Sequence, residues 1–404
     1  MKRTAFLPVL ATVACSTGAP QYTMSDVEFA GDPGSQTPHV VATQDGGALM
    51  SWWERLEGRT HALRVSRREH GEWSVPTTVV QGAQFFVNWA DFPSITELED
   101  GTWLAHWPQK TSEATYAYHV MLSTSNNGGM TWSEPFRAHG DVSPTEHGFV
   151  SALPWDGGGA LIWLDGRQTA GGGGHGEAAG YEGQGSMSIR FATLGSDAGL
   201  SKDVLIDDRT CECCTTALAA TSGGLVAAYR DRSEAEIRDI AIVRFDGSAW
   251  SEPKHVGSDN WHYPGCPVNG PQLTSRGDTV AVAWFAAPEN DSRVQVAFSS
   301  DGGATFSEPV RIDDGDPSGR VDIEYLDDGS VVVLWLEKTD PDAEIRARRV
   351  TPDGSMDESW LVAPTSAARG SGFPRMTRVG NELLFAWTLV GADGGVRVKS
   401  VAMN

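Results

Sequence analysis

The feature that most constrains the fold is a four-strand unit that recurs about every 50 residues, a spacing typical of repeat architectures. Its most regular part is the second strand, an apolar segment that carries a tryptophan or a tyrosine. Seven such segments occur, at residues 48–55, 103–107, 160–165, 225–230, 280–284, 331–335 and 383–387. One small sheet cannot bury its faces alone, so repeated sheets must stack on each other. The repeats therefore predict an all-β protein, a β-propeller of seven four-stranded blades.

The last unit predicts how the ring closes. It contains only three strands, at 373–379, 382–389 and 396–401, whereas the run 22–30 is a spare strand at the start of the chain. Pairing the two would remove a free sheet edge. We therefore expect residues 34–404 to form a single propeller domain, with a tether and the closing strand in residues 15–33. Six blades are the alternative count, because blade boundaries are hard to read from a sequence.

Two turns between third and fourth strands share nearly the same sequence. Residues 299–306 read SSDGGATF, and residues 125–132 read SNNGGMTW, with Asn127 in place of the aspartate. A short acidic or amide side chain can accept hydrogen bonds from nearby backbone N–H groups, and glycines allow positive φ. Both copies precede Ser-Glu-Pro. The pattern resembles the Asp-box, or BNR repeat, of the sialidase-like (neuraminidase) superfamily of β-propellers.

This resemblance implies a glycan as ligand and, if the protein is an enzyme, an exo-acting glycoside hydrolase. Sialidases use a tyrosine nucleophile helped by a glutamate, an aspartate acid/base and three arginines that bind the substrate carboxylate. Tyr263 or Tyr229, with Glu236 as helper, would take the first roles. The family's early Arg-Ile-Pro motif would fall in the first strand, where this chain reads QTPHV at 36–40. The first arginine of the triad is therefore missing. The sialidases also have six blades, one fewer than predicted here.

Blade geometry predicts which loops meet. Because successive strands alternate in direction, the loops that lead into first strands and those that leave second strands lie on one face, here called the lead-in face. The Asp-box turns lie on the opposite face. Ligands of closed repeat proteins commonly bind at the channel mouth, so we expect the site on the lead-in face.

Candidate catalytic residues and substrate ligands occur in those loops. A buried aspartate beside a tryptophan has a raised pKa and can act as a general acid; capping a turn is the alternative role. Arginines that converge from several blades would bind a carboxylate bidentately, although each can instead pair with a neighbouring acid. Glu146 and His147 are further acid/base or ligand candidates. The candidate catalytic residues are Asp91, Arg230, Glu236 and Tyr263, and the candidate substrate ligands are Trp89, Arg167, Arg232, Arg320, Arg369 and Asn269.

Four cysteines also fall on the lead-in face, in the loops before units four and five. One interpretation is two disulfides, because an exported protein with an even cysteine count favours them. Another is a soft-metal site for zinc or cuprous copper, with Cys211, Cys213 and Cys266 as thiolate ligands and His262 helping. A third is one disulfide plus a free reactive pair among Cys211, Cys213, Cys214 and Cys266.

The N-terminus predicts export. Lys2 and Arg3 precede a short apolar run, and small residues then lead to Cys15, as at a bacterial lipoprotein cleavage site. We expect residues 1–14 to be a signal peptide and Cys15 to be lipidated. The protein would then be anchored in the bacterial cell envelope, at the outer membrane or in the periplasm, or else be secreted. The net charge of −22 argues against a nucleic-acid partner. We expect a monomer that contacts membranes only through the lipid.

Three functional hypotheses follow. The first is an exported sialidase-like propeller that binds or hydrolyses an acidic glycan at the channel mouth, without a cofactor. The second is a metal-binding or redox-linked propeller built on the cysteine cluster, with zinc or copper. The third is a surface interaction scaffold without chemistry. The fold alone cannot choose among them.

Overall fold

Short strands form seven antiparallel sheets, which a computed structural model of the protein arranges as the blades of a propeller. The structure describes residues 22–29, 31–169 and 185–403. Six sheets have four strands, and the first has five. The predicted seven-bladed, all-β propeller is therefore confirmed, and the alternative count of six blades is wrong.

Blades 1 to 4 follow one another along the chain, each with its first strand innermost. Blade 1 comprises β2 (Gln36–Ala42), β3 (Ala48–Arg55), β4 (His61–Glu69), β5 (Glu72–Trp73) and β6 (Thr77–Gly82). Blade 2 comprises β7 (Ser94–Glu97), β8 (Trp103–Lys110), β9 (Tyr118–Ser125) and β10 (Phe136–Arg137). Blade 3 comprises β11 (His147–Trp155), β12 (Gly158–Asp165), β13 (Met187–Leu194) and β14 (Val204–Thr210). Blade 4 comprises β15 (Ala217–Thr221), β16 (Gly224–Arg230), β17 (Ile240–Phe245) and β18 (Lys254–His255).

Blades 5 to 7 repeat this order, and the last one takes a strand from the start of the chain. Blade 5 comprises β19 (Gln272–Arg276), β20 (Thr279–Ala286), β21 (Arg293–Ser299) and β22 (Val310–Arg311). Blade 6 comprises β23 (Pro317–Tyr325), β24 (Val331–Lys338), β25 (Ala343–Val350) and β26 (Trp360–Thr365). Blade 7 comprises β27 (Arg375–Val379), β28 (Glu382–Leu389), β29 (Gly395–Ala402) and β1 (Ser25–Val27).

The second strands form the core because neighbouring blades cover both of their faces. Every residue of β12 and β16 is buried. Large aromatic side chains fill the space between blades, and the fully buried tryptophans are Trp52, Trp53, Trp107, Trp163, Trp284 and Trp335. This two-sided burial explains why the second strands are near-continuous apolar runs and not alternating ones.

The N-terminal segment closes the ring. Strand β1 pairs antiparallel with β29, with Ser25 opposite Ser400 and Val27 opposite Val398. Just after it, Phe29 packs edge-on against Trp52 of blade 1, with ring centroids 4.9 Å apart. The predicted closing strand is therefore confirmed.

The repeated turns have matching hydrogen bonds. In the second copy, the hydroxyl of Ser299 accepts a bond from the N–H of Gly303 at 2.9 Å, and Asp301 Oδ1 accepts one from the N–H of Thr305, also at 2.9 Å. In the first copy, Ser125 and Asn127 make the equivalent bonds at 2.9 and 3.0 Å. These turns connect third to fourth strands and lie opposite the lead-in face.

First strands from all seven blades surround a central cavity of about 560 Å³.

The predicted signal peptide and Cys15 fall in residues 1–21, which the structure does not describe. Among the described residues, no helix has the length and apolar character needed to cross a membrane.

Candidate functional site

Asp91 lies on the channel wall at the lead-in face. The side chain of Asn88 accepts a hydrogen bond from the N–H of Ala90 at 2.8 Å, which shapes the loop before β7. Asp91 is only 2% exposed, and its Oδ1 accepts a bond from the N–H of Phe149 at 2.9 Å. Its Oδ2 has no hydrogen-bond partner among the described residues. Burial raises the pKa of Asp91 to about 7, so this carboxyl group can give or take a proton near neutral pH.

A tyrosine–glutamate pair lies behind Asp91. The Tyr118 hydroxyl donates a hydrogen bond to Glu146 Oε1 at 2.7 Å, and the Tyr118 ring stacks on Phe86. Burial, together with the negative charges of Glu146 and Asp91, raises the pKa of Tyr118 well above its usual value. Gly148 makes the close approach possible, because a Cβ there would lie 2.0 Å from Asp91 Oδ2. The pair therefore supports Asp91 from within the blade interface.

Arg375 is the cation of the channel wall. It begins β27 and is 3% exposed, and its Nε and Nη2 have no hydrogen-bond partner within the described chain. Its guanidinium lies over the ring of Phe92, 4.1 Å from the centroid, and Phe92 follows Asp91 directly. Burial lowers the pKa of Arg375 while nearby Asp322 opposes that shift. A guanidinium with free donors is suited to bind a carboxylate.

Burial also shifts the pKa values of three other ionisable groups that line the channel, Asp322, Glu324 and His39. Burial raises the pKa of Asp322, and burial with the charge of Asp322 raises that of Glu324 to about 8. Burial and the charge of Arg375 lower the pKa of His39 well below its usual value. Among the residues that line the channel, Arg375 is the cation that an acidic ligand would meet.

Most of the arginines selected from the sequence are occupied by partners. Arg230 donates three hydrogen bonds to the carbonyl oxygens of Asn269, Arg238 and Phe285, at 2.7, 2.5 and 2.5 Å. Arg232 pairs with Glu212 and Glu236. Arg167 pairs with Asp165 and Asp203, Arg320 donates to Ser371 and Gly372, and Arg369 is exposed. These five arginines do not converge on one point with free donors.

The remaining predicted site residues lie around the same face. Trp89 stacks on Phe373, with centroids 5.8 Å apart, and the Arg320 guanidinium lies 4.9 Å from the Trp89 centroid. Asn269 Oδ1 accepts a bond from the N–H of Arg320 at 2.7 Å. The side chain of Glu236 binds Arg232 and Arg238, and Tyr263 and His262 are exposed in the next loop. Of the predicted catalytic set, Asp91 is the one that lines the channel.

The cysteines form two pairs. Cys213 forms a disulfide with Cys266, which joins the loops before blades 4 and 5. The thiols of Cys211 and Cys214 are buried and lie 2.9 Å apart. Burial raises the pKa of Cys211. Burial also acts to raise that of Cys214, but the contact with Cys211 and the charge of Arg230 outweigh it and lower the pKa.

Arg375 and Tyr118 were not identifiable as site residues from the sequence. In the sequence, Arg375 is one polar position of a strand in which polar and apolar residues alternate. Tyr118 is part of an apolar strand. The signal available was positional: Arg375 stands at the start of an innermost strand, on the lead-in face. Its lack of partners depends on side chains from other blades, which no local pattern reveals.

Several solved structures superpose on this protein over nearly its whole length. The polysaccharide lyase Uly1 superposes with a TM-score of 0.54 at 9% identity, over 94% of this chain and 92% of that one. A Dyadobacter fermentans protein of unknown function gives 0.52 at 13% identity, over 96% and 100%. Penicillium chrysogenum α-L-arabinanase, complexed with arabinobiose, gives 0.50 at 12% identity, over 95% and 99%. No protein-family model and no curated protein matches the sequence. At these identities the likeness establishes the fold, in agreement with the β-propeller predicted from the sequence.

Proposed function

We propose that this protein binds and cleaves an acidic glycan at the lead-in mouth of the central channel. One observation carries the proposal: the channel wall holds both a buried arginine with unpaired donors, Arg375, and a buried carboxyl group, Asp91, whose pKa is about 7, and Arg375 lies over the ring of Phe92, the residue after Asp91. Both line the 560 Å³ cavity, which has room for a small number of sugar units. The names of two solved relatives, a polysaccharide lyase and an arabinanase, agree with a glycan ligand.

The roles of the residues follow from their chemistry. Arg375 would bind the sugar carboxylate through Nε and Nη2, and Phe92 would hold the guanidinium in place by stacking. Asp91 would donate a proton from Oδ2 to the leaving oxygen of the scissile glycosidic bond, because a general acid works best with a pKa near the working pH. A water molecule would add its hydroxyl to the sugar carbon and return a proton to the solvent or to Asp91, which completes the hydrolysis. Tyr118 would keep Asp91 in position, and the negative charge of Glu146 would disfavour ionisation of Asp91. The signal peptide predicted at residues 1–14 would place the protein outside the cytoplasm, where it could meet such glycans.

The test is a panel of acidic and neutral oligosaccharides, containing uronic acids, sialic acid or arabinose, assayed for binding by calorimetry and for release of new sugar ends. Arg375→Gln should weaken binding of acidic ligands about 10–100-fold, because a charge-assisted hydrogen bond contributes about 1.5–3 kcal/mol. Arg369→Gln is the matched control, since Arg369 is exposed. Asp91→Asn should lower the cleavage rate at least about 100-fold with binding retained.

Two results would count against this function. If no acidic glycan binds, or if Arg375→Gln and Arg369→Gln behave alike, the channel site is not an acidic-sugar site. If acidic glycans bind but no bond is cleaved, the binding role stands and the hydrolase role is lost, which leaves an interaction scaffold.

A second candidate function rests on the Cys211–Cys214 pair. The two thiols lie 2.9 Å apart, close enough to form a disulfide with each other, and the lowered pKa of Cys214 favours its thiolate, the form that attacks a disulfide. Because both side chains are buried, the loop before blade 4 would have to open for exchange with a partner. Each exchange would convert both thiols to a disulfide and transfer two electrons and two protons to the disulfide of a partner. Thiol titration of the unfolded protein at defined glutathione ratios tests it. Two thiols that oxidise reversibly support the idea, whereas a permanently oxidised pair or a thiolate-bound zinc or copper ion would refute it.

A further inference from the structure

A second cluster of buried side chains lies between blades 2 and 3, apart from the residues that line the channel. It contains His119 on β9, His139 after β10 and His147 at the start of β11. One ring nitrogen from each lies within 4.8 Å of the others. The three side chains are all buried, and the rings of His139 and His147 stack with centroids 4.0 Å apart. Three histidines from separate segments thus converge on one point.

The ring nitrogens of this cluster are short of partners. Within the described residues, His119 Nδ1, both nitrogens of His139 and His147 Nε2 make no hydrogen bond. A buried polar atom without a partner costs roughly 1–3 kcal/mol. Ring nitrogens without hydrogen-bond partners are the atoms through which histidine binds metal ions.

His147 is oriented as a metal-binding histidine would be. Its Nδ1 lies 3.1 Å from the carbonyl oxygen of Thr145 and 3.2 Å from that of Tyr118, so it can donate its proton there. The other nitrogen, Nε2, then carries a lone pair. That lone pair faces carboxylate oxygens of Asp141 at 3.1 Å and Asp165 at 3.7 Å. Metal-bound histidines usually donate the second ring N–H to a carbonyl or carboxylate in this way.

From this geometry we propose that His119, His139, His147 and Asp141 form a binding site for one divalent transition-metal ion, best suited to Zn²⁺. Tetrahedral zinc takes histidine nitrogens and carboxylate oxygens at about 2.0–2.2 Å, which puts two ligand atoms roughly 3.4 Å apart. The separation of 3.1 Å between His147 Nε2 and Asp141 Oδ2 agrees with that spacing. A protonated His147 could instead form an ion pair with Asp141. That pair would not explain why the ring nitrogens of His119 and His139 have no hydrogen-bond partners within the described residues.

The surroundings complete the site. Asp165 is fixed by the indole N–H of Trp163 at 3.0 Å and by Arg167 at 2.7 Å, so it is held as an outer acceptor beside the ligands. The site would join blade 2 to blade 3. It would also fix Tyr118 and Glu146, which precede His119 and His147 in the chain. This binding site is independent of the proposed glycan function, and it is separate from the cysteine cluster.

The experiment measures metal content and the ligand set together. The full-length protein is stripped with a chelator, equilibrated with Zn²⁺ and analysed for bound metal, and then loaded with Co²⁺ for absorption spectroscopy. We expect one ion per chain. We also expect a tetrahedral Co²⁺ spectrum without the near-ultraviolet charge-transfer band that thiolate ligands would add.

Variants separate this site from others. His139→Gln should weaken Zn²⁺ binding by more than the about 10–100-fold that loss of an outer partner costs. His106→Gln is the matched control, because His106 is also a buried histidine of blade 2 but is hydrogen-bonded to Ser94. Cys214→Ser should keep the ion. If His139→Gln does not fold, Asp141→Asn provides the same comparison.

Three results would overturn the proposal: no stoichiometric Zn²⁺ after equilibration, a thiolate band in the Co²⁺ spectrum with loss of metal in Cys214→Ser, or unchanged affinity in both His139→Gln and Asp141→Asn.

Discussion

Arg230 and Arg375 are both buried arginines on the lead-in face, and their hydrogen bonds separate a structural role from a binding role. Arg230 donates to three carbonyl oxygens and so holds three loops together. Arg375 leaves Nε and Nη2 without partners in the described chain. Because an unpaired buried donor is costly, a group such as Arg375 is retained most readily where a ligand completes its bonding.

The pKa of Asp91 predicts how stability depends on pH. In the unfolded chain an aspartate titrates near 3.9, whereas the folded value is about 7. Between those values the folded protein holds a proton that the unfolded chain has lost, so the free energy of unfolding decreases as the pH rises. At about 1.4 kcal/mol for each pKa unit, the loss is up to about 4 kcal/mol by pH 8. Urea unfolding of Asp91→Asn should therefore show a flatter pH profile than the parent protein.

The control for this pH profile is Asp100→Asn, an exposed aspartate of the same blade. It should leave the slope between pH 4 and pH 8 unchanged. Glu324, with a pKa of about 8, continues the decrease to higher pH in every variant. Equal slopes for Asp91→Asn and the parent protein would mean that Asp91 is ionised throughout, and it could not then act as the proton donor.

At the scale of single residues, the sequence predicted part of the candidate site. Asp91 was selected by its place in a loop of the lead-in face, and it lies on the channel wall. The arginines were selected by the same rule, yet Arg230 and Arg320 serve the backbone, because carbonyl oxygens of neighbouring loops take up their donors. Which donors remain free is decided by partners from distant parts of the chain, so the sequence could not single out Arg375.

At the scale of elements, the repeated turns show how a short motif fixes a blade. Gly303 adopts φ of +79°, and a Cβ there would lie 2.9 Å from Val226 of the preceding blade. The turn therefore packs against its neighbour as well as connecting two strands. The turns and the apolar second strands were predictable because each depends on a short run of consecutive residues. The segment 217–230, for example, has its second strand where the pattern placed it.

Asp301 should be a stabilising residue of that turn. It accepts hydrogen bonds from the backbone N–H and the hydroxyl of Thr305 at 2.9 and 2.7 Å, and these bonds lower its pKa to about 2. Asp301→Ala should lower the free energy of unfolding by about 1 kcal/mol at pH 7, since the turn is exposed. The loss should disappear as the pH falls from 4 towards 2, where the parent side chain also becomes protonated.

The comparison for this turn is Asp246→Ala in the degenerate turn of blade 4. Asp246 accepts hydrogen bonds from the backbone N–H groups of Ser248 and Ala249 at 2.8 Å. The turn that contains Asp246 lacks the second glycine and the threonine that the Asp301 turn has. Calorimetry of both variants at pH 3 and pH 7 measures the difference. A pH-independent loss in Asp301→Ala would show that packing, and not the charge-assisted bonds, accounts for the effect.

At the scale of the whole molecule, the ring depends on contacts between the two ends of the chain. The number of blades was predictable because each repeat carries the same apolar strand. The bridging of blades by the N-terminal segment was less predictable, because it depends on single side chains that lie outside the strands. Tyr22 stacks on Trp360 of blade 6 with centroids 4.0 Å apart and donates a hydrogen bond to Asp357. Phe29 packs against blade 1, so the N-terminal segment spans three blades.

Removal of residues 1–30 should therefore destabilise the entire propeller, whereas removal of residues 1–21 should not. The longer deletion takes away β1, the Tyr22 contacts and the Phe29 contacts, and it exposes the edge of β29, where Val396 and Val398 are buried. Aromatic pairs contribute about 0.5–1.5 kcal/mol each and ladder hydrogen bonds about 1 kcal/mol each, so the total loss is roughly 3–5 kcal/mol. An open, apolar edge also favours pairing between molecules. Thermal unfolding with light scattering should show a lower Tm and concentration-dependent association for the longer deletion alone. Equal Tm values and scattering for both deletions would show that blade 7 is stable with three strands and that ring closure does not depend on the N-terminal segment.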